Sequence, residues 1–485
     1  MAGCVPVNPF GNAEPSNAFR NYVRPGLSPY GLDASGQPRQ MQHVTSYTTM
    51  SAAAFSMSGV LPWVLPAGEI GVAFGGEWRL HRDGQKDIDP WAQVGLYTSG
   101  NYGQIYEGHL HAEEGFLEVA IPILKNDIVQ SLSIDMAGRL THYSFSGLTE
   151  TWKLGLQSQI NDDWRFRMTW SYDLRAPNVF DLFNPNVQSG ITCVSFVPGP
   201  TGTNGGQPNQ CFGHTSGNPN LKPEKANTIA AGFVFTPTFW GLDGLTASLD
   251  WYQIHLHGAI VTPVQAEPLT RCQQGEVVYC SLLEFANGQP YPGGTTSQVI
   301  AVRRAPLNAG VLTTAGFDFN IAYGFDLFTG SATVAFNGNY VYEFGRDLNN
   351  IFYNGIGQTG GYYSGGPRFE GTLNFDYREG PWSFGLQERI TGDSVDSRGN
   401  KGDPAIGLQR VQYTAAGIAT LSSGERALGF QETSYNAFVF RTDVRVQYRW
   451  SNNITLFAAI DNIQNLPTAG GFFRRQYRGG IRWNF

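Results

Sequence analysis

The chain has 485 residues, a length that soluble proteins usually divide among several domains of about 100–200 residues unless one large barrel takes it whole. Charged residues make up only 15% and aromatics 13%, and 60 residues are glycine, a profile suited to many strands and turns and poorly suited to many helices. The net charge of −7 comes without a basic patch and argues against a nucleic-acid binder.

The opening, MAGCVPVNPFGNAEPSN, lacks the basic and apolar regions of a signal peptide. No stretch approaches the roughly 20 consecutive apolar residues of a membrane helix. Alternation at period two predicts about 15 strands: 44–58, 69–82, 113–125, 129–145, 148–160, 163–175, 222–236, 245–261, 310–324, 330–345, 367–378, 381–393, 438–450, 453–464 and 473–485. In 163–175, DWRFRMTWSYDLR, six large apolar residues (Trp164, Phe166, Met168, Trp170, Tyr172, Leu174) alternate with polar ones, among them Arg165 and Arg167. Soluble strands average about five or six residues, and a tilted membrane strand needs about twice that. Length therefore favours the membrane over a half-buried strand of a soluble sandwich.

Between the strands, tight connections (LPAGE, KND, NDD, EG, SN) alternate with long ones at 83–112, 176–221, 262–309, 346–366 and 394–437. Outer-membrane barrels, with short periplasmic turns and long external loops, produce that rhythm. Gly/Pro/Asn-rich stretches such as GPTGTNGGQPNQ read as loops of one barrel, because strand pattern flanks them on both sides. Cys193 and Cys211 bracket one such loop and Cys272 and Cys280 a shorter one, reading as two local disulfides in an oxidising compartment, with unpaired thiols the alternative. The segment 440–450, FRTDVRVQYRW, puts Phe440, Val444, Val446, Tyr448 and Trp450 on one face and Arg441, Asp443, Arg445, Gln447 and Arg449 on the other. At the end, YRGGIRWNF places Tyr477, Ile481, Trp483 and Phe485 opposite Arg478 and Arg482. With the C-terminus in the periplasm, both candidate disulfides fall in external loops. An arginine facing lipid near mid-bilayer costs about 2–4 kcal/mol, so Arg165, Arg167, Arg441, Arg445, Arg449, Arg474, Arg478 and Arg482 are expected to face the lumen.

Residues 172–183, YDLRAPNVFDLF, and 217–233, GNPNLKPEKANTIAAGF, resemble paired landmarks of the TonB-dependent outer-membrane receptors. PAGEIGVAFGGEWR (66–79), DWYQIHLHGAI (250–260) and NITLFAAIDNIQN (453–465) are similar to further stretches of that family, in the same order. The resemblance implies an all-β, transmembrane, antiparallel up-and-down β-barrel in the cell outer membrane, with about 22 strands around a plug domain. No signal peptide, TonB box or plug is read in residues 1–485, so the whole chain is taken as the C-terminal part of such a barrel, a partial barrel of about 15 strands. GCVPVNPFG (3–11) resembles an external-loop motif normally well inside a receptor, which makes Met1 look internal and leaves Cys4 without its partner.

The same resemblance implies uptake of a scarce nutrient (siderophore, vitamin or oligosaccharide), energised by the TonB complex acting through the plug. Outer-membrane lipid and the barrel assembly machinery are further expected partners; Tyr477, Trp483 and Phe485 would form the assembly signal. The lumen arginines would pair with carboxylates of the wall or the plug, or else form a cationic path for an anionic ligand. Tyr353, Tyr362 and Tyr363, in NIFYNGIGQTGGYYSGG, are candidates for ligand contact or for an ordinary flexible loop. No P-loop, G-x-S-x-G or H-E-x-x-H motif occurs, so no enzyme and no cofactor is expected. The pairs His109/His111 and His255/His257 lack nearby residues that complete a metal-ligand set. A passive porin is the alternative to a receptor. An odd strand total would make the first and last strands parallel. Cells carrying this chain alone are therefore expected to show no energy-dependent uptake, and such uptake, abolished by deleting Phe485, would overturn the partial-barrel reading.

Overall fold

The computed structural model of the protein describes residues 45–86, 106–184, 187–193, 209–239, 241–263, 267–273, 277–285, 288–291, 299–348, 351–358, 365–395, 411–413, 419–421, 435–466 and 474–484. Fifteen antiparallel strands form one sheet in chain order. They are β1 (Thr45–Leu65), β2 (Gly68–Lys86), β3 (Tyr106–Leu124), β4 (Ser131–Tyr143), β5 (Gly147–Gln159), β6 (Trp164–Arg175), β7 (Glu224–Phe235) and β8 (Leu245–His257). The rest are β9 (Val311–Leu327), β10 (Gly330–Leu348), β11 (Phe369–Glu379), β12 (Trp382–Thr391), β13 (Val439–Arg449), β14 (Ile454–Asp461) and β15 (Gln476–Trp483). The short strand Ile351–Asn354 pairs with the outer end of β10. Among the described residues β1 pairs only with β2 and β15 only with β14, so the sheet is not closed.

Each predicted strand has its counterpart, and the differences lie at the ends. β1 runs on to Leu65 because its pairing with β2 continues into the turn, Val64 facing Glu69 and Leu65 facing Gly68, while at the other end β2 and β3 pair beyond the prediction, with Thr45 facing Lys86 and Gln85 facing Tyr106. The last strand is shorter than expected, and Arg474 lies just before it. The loops 176–221 and 262–309, expected as connections only, carry structure of their own. Among the described residues there, three short helices form, α1 (Val179–Phe183), α2 (Glu267–Gln273) and α3 (Val277–Cys280), with a four-stranded sheet of Val187–Cys193, Asn209–Thr215, Leu283–Phe285 and Val299–Arg304.

A sheet one residue thick has no interior, so apolar side chains of the strands stay exposed. Trp78, Leu117, Leu140, Trp152, Trp170, Phe233, Phe384 and Ile481 all stand outside any core. They occupy one side of the sheet. Register makes this a continuous band: Trp152 faces Tyr172 and meets Trp170 edge-on at 4.8 Å, and Trp164 faces Phe235 at 4.4 Å. Farther round, Trp382 faces Tyr448 at 4.6 Å. Such an apolar face without a covering layer suits lipid, and edge-to-face aromatic pairs add about 0.5–1.5 kcal/mol each. No helix among the described residues is long and apolar enough to cross a membrane.

The conventional cores sit in the loops. Leu269, Cys272, Cys280, Leu283, Phe285, Val299 and Val302 form one buried cluster, and Tyr279, Leu282, Ala305, Leu307 and Ala309 form a second. The two sides of β6 give a direct test of register. In protein reconstituted with brominated lipid, a reporter placed at Trp170 is expected to be quenched and one at Arg167 to be spared. Equal quenching at both would refute this orientation.

Candidate functional site

The face opposite the aromatic band is polar, and its charges are matched across strands. Arg167 on β6 donates through Nε and Nη2 to Asp250 on β8, at 2.8 and 2.7 Å, although β7 runs between them. The residue of β7 in that row is Gly232, and any Cβ there would overlap the Asp250 carboxylate. Glycine in a strand interior marks a place where another group comes close. The device recurs: Arg445 on β13 reaches Asp376 on β11 at 2.5 Å, over Gly385 of β12. A side chain at Gly385 would overlap the Arg445 guanidinium stem.

Other pairs follow the diagonal. Arg389 donates to both oxygens of Asp443 (3.1 and 2.7 Å), and Arg478 pairs with Asp461 at 2.6 Å. Arg165 donates to the Gln159 side chain at 2.8 Å. Near the external end of β3, the Glu114 side chain is only 3% exposed and takes Arg79 at 3.1 Å and Arg139 at 2.8 Å. Arg441 stands opposite Arg389 on this face, Arg449 ends β13, and Arg482 lies toward the end of β15. Arg167, Arg389, Arg445 and Arg478 are thus paired with carboxylates of the wall itself.

At the end of the sheet that carries the long loops, the chain leaving β6 bends back over this polar face. α1 lies on β3, where Gly108 leaves room for Val179 and Phe183. Leu110, Val179, Leu182 and Leu221 form a buried cluster there, with Phe183 and Ile260 packed against it. Asn178 caps α1 by accepting from the Asp181 N–H, and the Asp181 carboxylate accepts from the Asn178 N–H. Phe180 alone is turned out, half exposed, with its ring edge-on to Tyr106 at 6.5 Å.

The two stretches that carry the family resemblance meet at Glu224. Its carboxylate takes the Arg175 guanidinium on one oxygen and the Ile260 N–H on the other at 2.5 Å. Asn308 accepts from the Lys222 N–H and donates to the Lys222 and Gly258 carbonyls, each at 2.8 Å. Asn218 donates to the Pro306 carbonyl at 2.8 Å. Both long loops are therefore fastened to one knot at the rim.

Above that knot, Cys272 and Cys280 are joined as a disulfide, with Cα atoms 4.8 Å apart. Closing so short a loop contributes about 2.5 kcal/mol on the chain-entropy account. The loop unit is tied to the wall by Arg346 of β10, which donates to the buried Tyr279 hydroxyl at 2.8 Å and to the Ala309 carbonyl at 3.2 Å. Cys193 and Cys211 lie on neighbouring strands, Cys193 opposite Asn209 and Cys211 opposite Ile191, and their side chains fall outside the described residues. Tyr353 pairs by its backbone with Arg346, its side chain also outside the description, as are Cys4, Tyr362, Tyr363 and Phe485 altogether. Tyr477 and Trp483 are exposed on the aromatic side of β15. Among the described residues no group of three or more His, Cys, Asp or Glu could hold a metal ion; His255 Nδ1 instead lies 3.2 Å from the Thr313 hydroxyl.

Sequence patterning did not point to Gly232, Gly385, Glu224 or Asn308. For the glycines the available signal is a missing side chain in an otherwise alternating strand. Glu224 lies in the stretch 217–233 that carries the family resemblance, directly after Lys222-Pro223.

A family model described as the TonB dependent receptor-like β-barrel matches residues 9–463. The chain belongs to that family. Among solved structures, a variant of the ferric enterobactin receptor from Pseudomonas aeruginosa in complex with enterobactin is 15% identical, with a TM-score of 0.59 over 94% of this chain and 56% of that one. The siderophore receptor PirA from Acinetobacter baumannii is 15% identical with a TM-score of 0.58, covering 93% of this chain and 57% of that one. The ferripyoverdine receptor of the Pseudomonas aeruginosa outer membrane is 11% identical, with a TM-score of 0.51 over 91% and 49%. These likenesses establish a shared fold. The chain spans about half the length of those structures. No curated protein sequence matches it.

Two outcomes follow from the geometry. Glu224→Ala strips a buried acceptor from both Arg175 and Ile260 and is expected to destabilise the rim by about 2–4 kcal/mol, read as faster proteolysis within 176–223 and 258–310 while the wall stays protected. Reducing the Cys272–Cys280 bridge is expected to leave the wall's β-sheet circular dichroism unchanged and to raise hydrogen exchange only around α2 and α3; global loss of sheet signal would contradict this division.

Proposed function

We propose that the chain forms most of the wall and part of the external mouth of an outer-membrane receptor that takes up a small-molecule nutrient with energy delivered through TonB. The family match carries this reading, and the two-sided wall agrees with it: one face is apolar and aromatic, the other is lined with matched charges. Loops above the rim would capture the ligand, and the polar face would line its path or contact a plug domain. The aromatic side would sit in lipid, and β15, with Tyr477 and Trp483, would serve as the recognition element for barrel assembly. The solved relatives are receptors for ferric enterobactin and ferripyoverdine, which supports a small-molecule ligand of nutrient value. The protein acts by binding and passage, without covalent chemistry.

Deleting the gene in its native host is expected to abolish energy-dependent uptake of at least one nutrient, with the protein recovered in the outer-membrane fraction of the parent. Unchanged uptake across a nutrient panel, or recovery of the protein from a soluble fraction, would sink the reading.

A further inference from the structure

We infer that the end of the wall where odd-numbered strands turn into even-numbered ones is seated in a leaflet of zwitterionic, amine-headed phospholipid. Apolar residues at the turns enter the boundary between headgroups and acyl chains, and turn carboxylates meet the ammonium groups. The inference rests on the receptor reading above. It starts from Phe328, in the two-residue turn between β9 and β10, where Leu327 faces Gly330. Its φ is 52°, in the left-handed region, and its side chain is 90% exposed. Hairpin turns take glycine, asparagine or aspartate at such a position, because a bulky side chain there is strained against its own backbone. So exposed a ring gains no packing within the fold to offset that strain.

Phe328 is one of a series. Seven hairpin connections, each joining an odd-numbered strand to the next even-numbered one, lie together at this end of the sheet. Each carries an exposed large apolar residue in or beside its turn. Besides Phe328 these are Trp63, Ile128, Ile160, Phe239, Trp382 and Trp450, with Ile128 80% exposed. A docking protein would gather its contacts on one sector of the rim. An apolar residue at every hairpin instead fits a partner that surrounds the wall. A lipid leaflet does so, and these residues continue the aromatic band past the ends of the strands.

Charge selects the headgroup. The turns are 66–67, 125–130, 160–163, 236–244, 328–329, 380–381 and 450–453. Among the described residues of these turns and their immediate flanks, five carboxylates (Asp127, Asp162, Asp163, Asp243 and Glu379) stand against two bases, Lys125 and Arg449. Three of the five accept hydrogen bonds there from neutral groups, which leave the charge in place: Gln130 donates to Asp162, Thr238 to Asp163 and Tyr377 to Glu379. Anionic headgroups would meet like charge at this rim, whereas ammonium groups complement it.

The test follows urea unfolding of the full chain in vesicles of phosphatidylethanolamine with phosphatidylcholine and, separately, of phosphatidylglycerol. At low salt, unfolding is expected to be about tenfold slower in the amine-headed vesicles, a comparison that needs no variant. Combining Asp127→Asn with Asp243→Asn, both exposed, is expected to reduce that ratio to about threefold. Phe328→Gly relieves the backbone, so a turn that merely tolerates its phenylalanine would unfold more slowly or at the same rate. The inference requires the opposite sign, unfolding about fivefold faster in the amine-headed vesicles. A fluorophore on Ile128→Cys is expected to be quenched by lipid brominated near the headgroup and shielded from aqueous iodide. Slower or unchanged unfolding of Phe328→Gly, equal stability in the two vesicle types, or free access of iodide overturns the inference. Shielding that appears only after a soluble periplasmic extract is added identifies a protein occupant and overturns it too. Each of these results leaves outer-membrane fractionation and energy-dependent uptake, the measures of the receptor reading, untouched.

Discussion

In a wall one residue thick, every side chain must choose between two solvents, and the backbone can be satisfied only by its neighbours in the sheet. Hydrocarbon offers no hydrogen bonds, so the ladder from β1 to β15 has to carry every amide within the band, and loops can exist only beyond it. The same constraint fixes the side chains. A period of two sends alternate residues to opposite media, so a shift of one residue would exchange Trp164, Phe166 and Trp170 with Arg165, Arg167 and Thr169. Register is therefore the most heavily enforced property of this fold.

The rim obeys different rules. Residues above the band return to water and can again build cores, which is why the buried residues around Leu269, Phe285 and Val302 belong to loops. Two connections far apart in sequence fold there as one unit: Asn209–Thr215, from the loop after β6, pairs in parallel with Val299–Arg304, from the loop after β8. Glu224 and Asn308 hold the bases of both loops, and Arg346 joins their top to β10. The loop unit and the wall are thus mechanically continuous, joined at the ends of β6, β7, β8 and β10.

The wall was legible in the sequence because the membrane makes alternation compulsory: DWRFRMTWSYDLR shows its two faces residue by residue, as do FRTDVRVQYRW and YRGGIRWNF. The turns were legible for a related reason, since a tight hairpin leaves few residues to spare. The rim was not. Its helices are only four to seven residues long and carry no sustained periodicity, and the parallel strand pairing joins segments about ninety residues apart. Alternation puts the arginines on the side opposite the aromatics but says nothing of their partners. Asp250 lies 83 positions from Arg167, and only the strand order reveals that Gly232 stands between them.

The glycine slots give the lumen an unusual kind of heritable adjustability. At Gly232 and Gly385 an uncharged residue decides whether a cation is masked or displayed, since any side chain there collides with the ion pair crossing over it. An uncharged side chain at either position would leave the chain's formal charge unchanged yet displace the ion pair, and at Gly232 it would also press on the Leu249 carbonyl of the neighbouring strand. A count of charged residues on this face would therefore miss what the two glycines control, since neither contributes a charge of its own.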